Sequence, residues 1–98
     1  MNKMKISNNT IIKRHPDQLL SSKIDEEMVL LSIQKGKYYS LDHTGSEIWE
    51  YIHDPIPFSK LIGKLTDNYE VNEEKCIKET KDFLIDLYEN GLIKITND

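Results

Sequence analysis

The side chains in this 98-residue chain that could act as a nucleophile, base or metal ligand are one cysteine, Cys76, three histidines, His15, His43 and His53, and a surplus of carboxylates. A thiolate nucleophile needs a histidine or a positive environment beside it. Cys76 instead shares a helical stripe with Thr80, Phe83, Leu84 and Leu87, and reads as an inert thiol on a core face. One cysteine and three scattered histidines lack the paired short spacings that hold a tetrahedral zinc ion. The acids fall on helix faces and in turns, with nothing to mark an acid and base pair. Gly36, Gly45, Gly63 and Gly91 stand singly, so no loop cradles a phosphate. A catalytic residue, a metal and a cofactor are therefore not expected. What remains is the run "GKYYSLDHTGSEIWEYI", Gly36 to Ile52, where two tyrosines in a strand-like stretch lead straight into a helix start.

A chain of this length supports one domain with one modest core. Hydrophobic residues make up 38% and charged residues 31%, which is polar but well inside the range of folded proteins. The net charge of -4 opposes a phosphate backbone. Strands followed by three helices also describe a winged-helix DNA-binding regulator. The third helix, however, carries Glu73, Glu74, Glu79, Asp82, Asp86 and Glu89 against Lys75, Lys78 and Lys81. Nucleic acid is not the expected partner. No apolar run has the length of a membrane span, "MNKMKISNNT" lacks the apolar centre of a signal peptide, and a lone cysteine rules out an internal disulfide framework. A cytoplasmic protein without membrane contact is expected.

Residues 1–18 read as a polar N-terminal arm or a loosely attached strand, with an apolar pair at Ile11 and Ile12 and a break at His15-Pro16-Asp17. Residues 19–98 read as the domain proper. "LLSSKI", "MVLLSI" and "KYYSLD" predict three short strands joined by tight turns, a small antiparallel meander with the middle run central. The period then changes. "TGSEIWEYI" has the form of a capping box, Thr44 with Glu47, and Ile48, Trp49 and Ile52 supply a buried stripe. Pro55 and Pro57 separate this helix from a second one bearing Phe58, Leu61, Ile62 and Leu65. Asn72 predicts the N-cap of a longer third helix, with Glu73 and Glu74 against its dipole; Gly91 predicts its stop and "LIKI" a final strand. Beside the core stripe of that helix, Ile77, Ile85 and Tyr88, with Lys81 among them, extend the apolar surface.

This order of features resembles the PqqD-like family, the RiPP recognition elements of ribosomal peptide biosynthesis. The resemblance runs from about Leu19 to Ile95. Its signature corner is Gly36, Tyr38, Tyr39, Leu41, Thr44, Gly45, Ile48 and Trp49, continued by Leu61, Leu65, Tyr69, Val71, Leu84, Leu87, Gly91 and Leu92. It implies an α+β, winged helix-turn-helix-like fold, a three-stranded antiparallel sheet packed on three helices, with no catalytic site. It also implies that the leader segment of a precursor peptide adds as a strand to the third strand of that sheet, in the cleft beside the third helix.

Carried onto this chain, the peptide-binding residues would be Lys37, Tyr38, Tyr39, Ser40 and Leu41 on the strand and Ile77, Lys81, Leu84, Ile85 and Tyr88 on the helix. Lys81 would meet an acidic leader residue. Plain core packing is the better explanation of Tyr39, Leu41, Trp49 and Leu84, which leaves Tyr38, Lys81, Ile85 and Tyr88 as the stronger candidates for contact. Among family settings, the chain is most similar to the freestanding leader-binding protein of split lasso-peptide systems. Its partners there would be a precursor leader, with a characteristic Tyr and a Pro three residues later, and a separate leader peptidase, a transglutaminase-like cysteine protease. A chaperone for a radical enzyme in another peptide-modification pathway is the neighbouring alternative.

Overall fold

The structure, a computed structural model, describes residues 5–15, 19–25, 27–33, 35–68, 70 and 72–97. Two of the family-like positions, Tyr69 and Val71, and the break at Pro16 and Asp17 lie outside them. The expected meander is present. Strands β2 (Leu19–Ile24), β3 (Glu27–Ser32) and β4 (Lys37–Leu41) form an antiparallel sheet in the order β2-β3-β4. Side chains alternate across it. Met28, Leu30 and Ser32 are buried on the inner face, whereas Leu31 is exposed on the outer one. The register places Tyr39 opposite Leu30 and Tyr38 opposite Leu31, so Tyr38 shares the outer face. A two-residue connection joins β2 to β3, and its first residue, Asp25, adopts φ 58°.

Helix α1 (His43–Tyr51) starts two residues earlier than the capping box suggests. Asp42, not Thr44, is the N-cap: its carboxylate accepts from the Gly45 amide at 2.8 Å. Thr44 lies inside the first turn, and the box at Thr44 and Glu47 is not formed as an N-cap. Ile48, Trp49 and Ile52 are buried as their spacing requires. Helix α2 (Phe58–Asn68) buries Phe58, Leu61, Ile62 and Leu65. Helix α3 (Glu73–Glu89) is capped by Asn72, whose side chain accepts from the Lys75 amide at 3.1 Å. Its other end closes in a Schellman motif, with Gly91 at φ 75°, the Gly91 amide on the Tyr88 carbonyl and the Leu92 amide on the Leu87 carbonyl. Among the described residues no helix is long and apolar enough to cross a membrane.

The N-terminal segment departs from the expected arm or loosely attached strand. Ile11–Arg14 form strand β1, the middle of a second small sheet between β5 (Ile56–Pro57) and β6 (Ile93–Thr96). Ile12 is fully buried in the common core. The residues before it are equally committed. The carbonyls of Thr10 and Asn8 accept from the Phe58 and Ser59 amides at 2.8 and 3.0 Å, which satisfies the start of α2, where Pro57 leaves no capping side chain. Thr10 is buried and its hydroxyl bonds the Asn97 side chain, which in turn donates to the Lys5 carbonyl. A period of two over four residues is too short to reveal this from sequence; the partners lie more than 40 residues away.

The cost of truncating Ile12 separates an integral strand from an arm. Ile12→Ala should lower the unfolding free energy by about 2–5 kcal/mol, read as a shift of the urea midpoint. A shift corresponding to less than about 0.5 kcal/mol would mean that this segment contributes nothing to the core.

Candidate functional site

Strand β4 is an edge strand. Its one neighbour is β3, and among the described residues no strand pairs with its other side. In an antiparallel ladder every second residue directs both its N–H and its C=O away from the partner, so the outer rim of Lys37–Leu41 presents donors and acceptors in regular order. The N-terminal segment could have covered this rim, but β1 is placed in the other sheet. Tyr38 is 74% exposed, Lys37 and Ser40 are exposed, Tyr39 is half-buried and Leu41 is buried.

The hairpin carrying β4 meets α3 at two places. At its start, Lys35 in the β3–β4 turn donates to the Asn90 carbonyl at 2.7 Å, a cation on the negative end of the helix. Beyond its end, the Phe83 ring packs on Gly45, where a Cβ would lie 3.1 Å from the Phe83 Cζ atom and 3.1 Å from Asp42 Oδ1. Only glycine allows this approach without displacing the ring. Between the two places no hydrogen bond or ion pair joins β4 to α3 among the described residues. At the Gly45 end lies a cavity of about 210 Å³ lined by Asp42, Thr44, Gly45, Ile48, Glu79, Thr80 and Phe83.

The rim is held from inside the core. Ser46, buried in the first turn of α1, accepts from the Met28 amide at 2.8 Å and donates to the Leu41 carbonyl at 3.1 Å. One hydroxyl therefore links β3, β4 and α1. At the other end of α1, Arg14 donates to the Trp49 carbonyl from Nε at 3.1 Å and from Nη2 at 2.6 Å, with its guanidinium 4.6 Å from the Trp49 ring centre. Burial pushes the Arg14 pKa below its ordinary value, and the nearby Glu50 carboxylate opposes that shift.

On α3 the residues singled out from sequence take different positions. Leu84 is fully buried. Ile77 and Ile85 are half-buried against the core, and Tyr88 is 40% exposed. Lys81 turns toward the start of α2, its Nζ 5.8 Å from the Phe58 ring centre. Two residues along a helix separate Lys81 from Phe83 by about 160°. The flank that meets the end of β4 therefore carries Phe83, Glu79 and Thr80, none of them picked out as site residues from sequence. An apolar wheel shows how wide the buried arc is, not which of its two margins faces the sheet.

Cys76 is half-buried, 3.9 Å from the Thr80 hydroxyl, in a cavity of about 480 Å³ whose lining contains no histidine among the described residues. No group of three or more potential metal ligands occurs among the described residues. A larger polar cavity of about 560 Å³ is lined by Lys23, His43, Ser46, Glu47, Glu50, Tyr51 and Asn68. It contains the paired charges Lys23–Glu50 and His43–Glu47, each at 3.4 Å. Neither cavity includes a residue of β4.

A family model described as Coenzyme PQQ synthesis protein D (PqqD) matches residues 27–93. Two solved structures are similar over nearly the whole chain. "TbiB1 in Complex with the TbiA(beta) Leader Peptide" is 29% identical, covering 97% of this chain and 100% of that one, with a TM-score of 0.73. "Lasso peptide synthetase B1 complexed with the leader peptide" is 25% identical, covering 85% of this chain and 96% of that one, with a TM-score of 0.75. Comparison with curated proteins yields no match.

Because Ser46 satisfies two backbone groups in a buried place, Ser46→Ala should cost about 1–3 kcal/mol in urea unfolding. A variant as stable as the parent would show that this hydroxyl does not hold the rim.

Proposed function

The chain belongs to the PqqD family, and we propose that it binds the leader segment of a precursor peptide as an added strand along β4 and presents it to a partner enzyme. The observation that carries this reading is the unpaired rim of Lys37–Leu41 beside α3. Two solved structures that match 97% and 85% of the chain are, by their descriptions, complexes with leader peptides, which supports the same choice of ligand. Main-chain hydrogen bonds to the rim supply attachment in any sequence, and side-chain pockets supply selectivity. In this reading Tyr38 and Ser40 contact the guest from the outer face of the sheet. On α3 we assign the wall to the flank of Phe83 rather than to Ile77, Lys81, Ile85 and Tyr88, with Leu84 buried between the two.

The pathway we propose is lasso-peptide biosynthesis in the cytoplasm. The partner enzyme is a separate leader peptidase of the transglutaminase-like cysteine protease type. The chain itself supplies no reacting group. Its contribution to rate is to raise the effective concentration of the cleavage site at the peptidase and to hold it in register.

A fluorescein-labelled leader peptide of the lasso type, carrying a Tyr and a Pro three residues later, titrated by fluorescence polarisation, tests the reading. N-methylation of the leader backbone, one position at a time, should raise Kd by about tenfold or more at alternate positions only, the signature of an antiparallel or parallel ladder. Uniform tolerance of N-methylation, or loss at consecutive positions, would overturn strand addition. Tyr88→Ala, on the far flank of α3, should leave Kd within about twofold.

A further inference from the structure

Every charged residue lining the cavity of about 210 Å³ at the end of β4 is an acid. It lies just beyond the end of the rim, where Asp42 follows Leu41 directly. Phe83 contributes an aromatic surface, half-buried against Gly45. Asp42 uses Oδ1 to accept from the Gly45 amide, which leaves Oδ2 for another donor. Glu79 has one cationic neighbour among the described residues, Lys75 at 3.8 Å, and that pair is largely exposed on both sides. An exposed pair of this length is weak and readily exchanged.

We propose that this cavity is a specificity pocket for a lysine or arginine side chain of the bound peptide. The inference rests on the strand-addition reading and deepens it. The aliphatic stem would lie on the Phe83 ring and the charged head would reach Asp42 and Glu79. That arrangement suits a long cationic side chain in each of its parts: apolar surface for the methylenes, an aromatic face for the cation, and two carboxylate acceptors at the rim. An acidic guest residue would meet uncompensated repulsion there. The same sign operates at longer range, since the exposed face of α3 beyond Phe83 carries Asp82, Asp86 and Glu89, for which no ion pair occurs among the described residues. A basic segment is therefore drawn toward the rim before it docks.

The test uses the same labelled leader peptide and variants of the full chain. Glu79→Lys should raise Kd by about tenfold and Glu79→Gln by about threefold, with unchanged thermal unfolding, because Glu79 is exposed and makes only a surface pair. Replacing each basic leader residue in turn by glutamate should identify a single position of comparable loss, and that leader should regain affinity for the Glu79→Lys protein. Affinity of the parent pair should fall as sodium chloride is raised. If Glu79→Lys and every basic-to-glutamate leader leave Kd within about twofold while alternate N-methylation still abolishes binding, the pocket is wrong and the edge reading stands. If neither the charge changes nor N-methylation alters affinity, both are overturned.

Discussion

A β-strand can be hydrogen-bonded on two sides only, and in β1 both are filled, by β5 and β6. The open rim of β4 depends on that saturation. An N-terminal strand is the nearest piece of chain that could pair with an exposed edge and hide it, the usual way a protein protects itself from unwanted association. Here the segment is consumed elsewhere, with Ile12 in the core and the carbonyls of Asn8 and Thr10 closing the start of α2. Displacing it onto β4 would strip a helix of its first-turn partners and empty a core site at once. Among the described residues the main sheet consequently keeps an edge to which no strand is paired.

The surroundings of that edge are fixed by side chains within the fold. Ser46 ties the first turn of α1 to β3 and β4, and Arg14 ties the last turn of α1 to β1 through the Trp49 carbonyl. The helix that follows the rim is thus anchored at both ends by side chains from, or bonds to, different sheets. Preorganisation of this kind spares the binding step the entropy of ordering the receptor. The cavity of about 480 Å³ adjoins the smaller one through Thr44, Glu79 and Thr80, whereas that of about 560 Å³ has neither Phe83 nor Asp42 in its lining.

Much of the architecture was legible in the residues. The meander, the central place of β3, the buried stripes of the three helices and the stop at Gly91 follow from periodicity and turn chemistry, because each is decided by neighbours within a few positions. The departures share a cause. Asp42 rather than Thr44 caps α1, since any of several small acceptors could start the helix and the geometry of the preceding strand selects among them. The position of β1 depends on β5 and β6, far off in sequence. On α3 the apolar wheel shows two flanks around Leu84, and only the packing of Phe83 on Gly45 reveals which one meets the end of β4. The exposure and alternation of β4 were therefore readable, being local, whereas the orientation of α3 is a tertiary property.

The contact between Lys35 and the Asn90 carbonyl gives the rim a further property. With that bridge near the start of β4 and the Phe83 ring on Gly45 just past its end, the rim of β4 is flanked by contacts at its two ends and unpaired along its length. Under the proposed function, a guest strand would enter from the side rather than by threading from a chain terminus. Both flanking parts of a longer polypeptide would then stay at liberty.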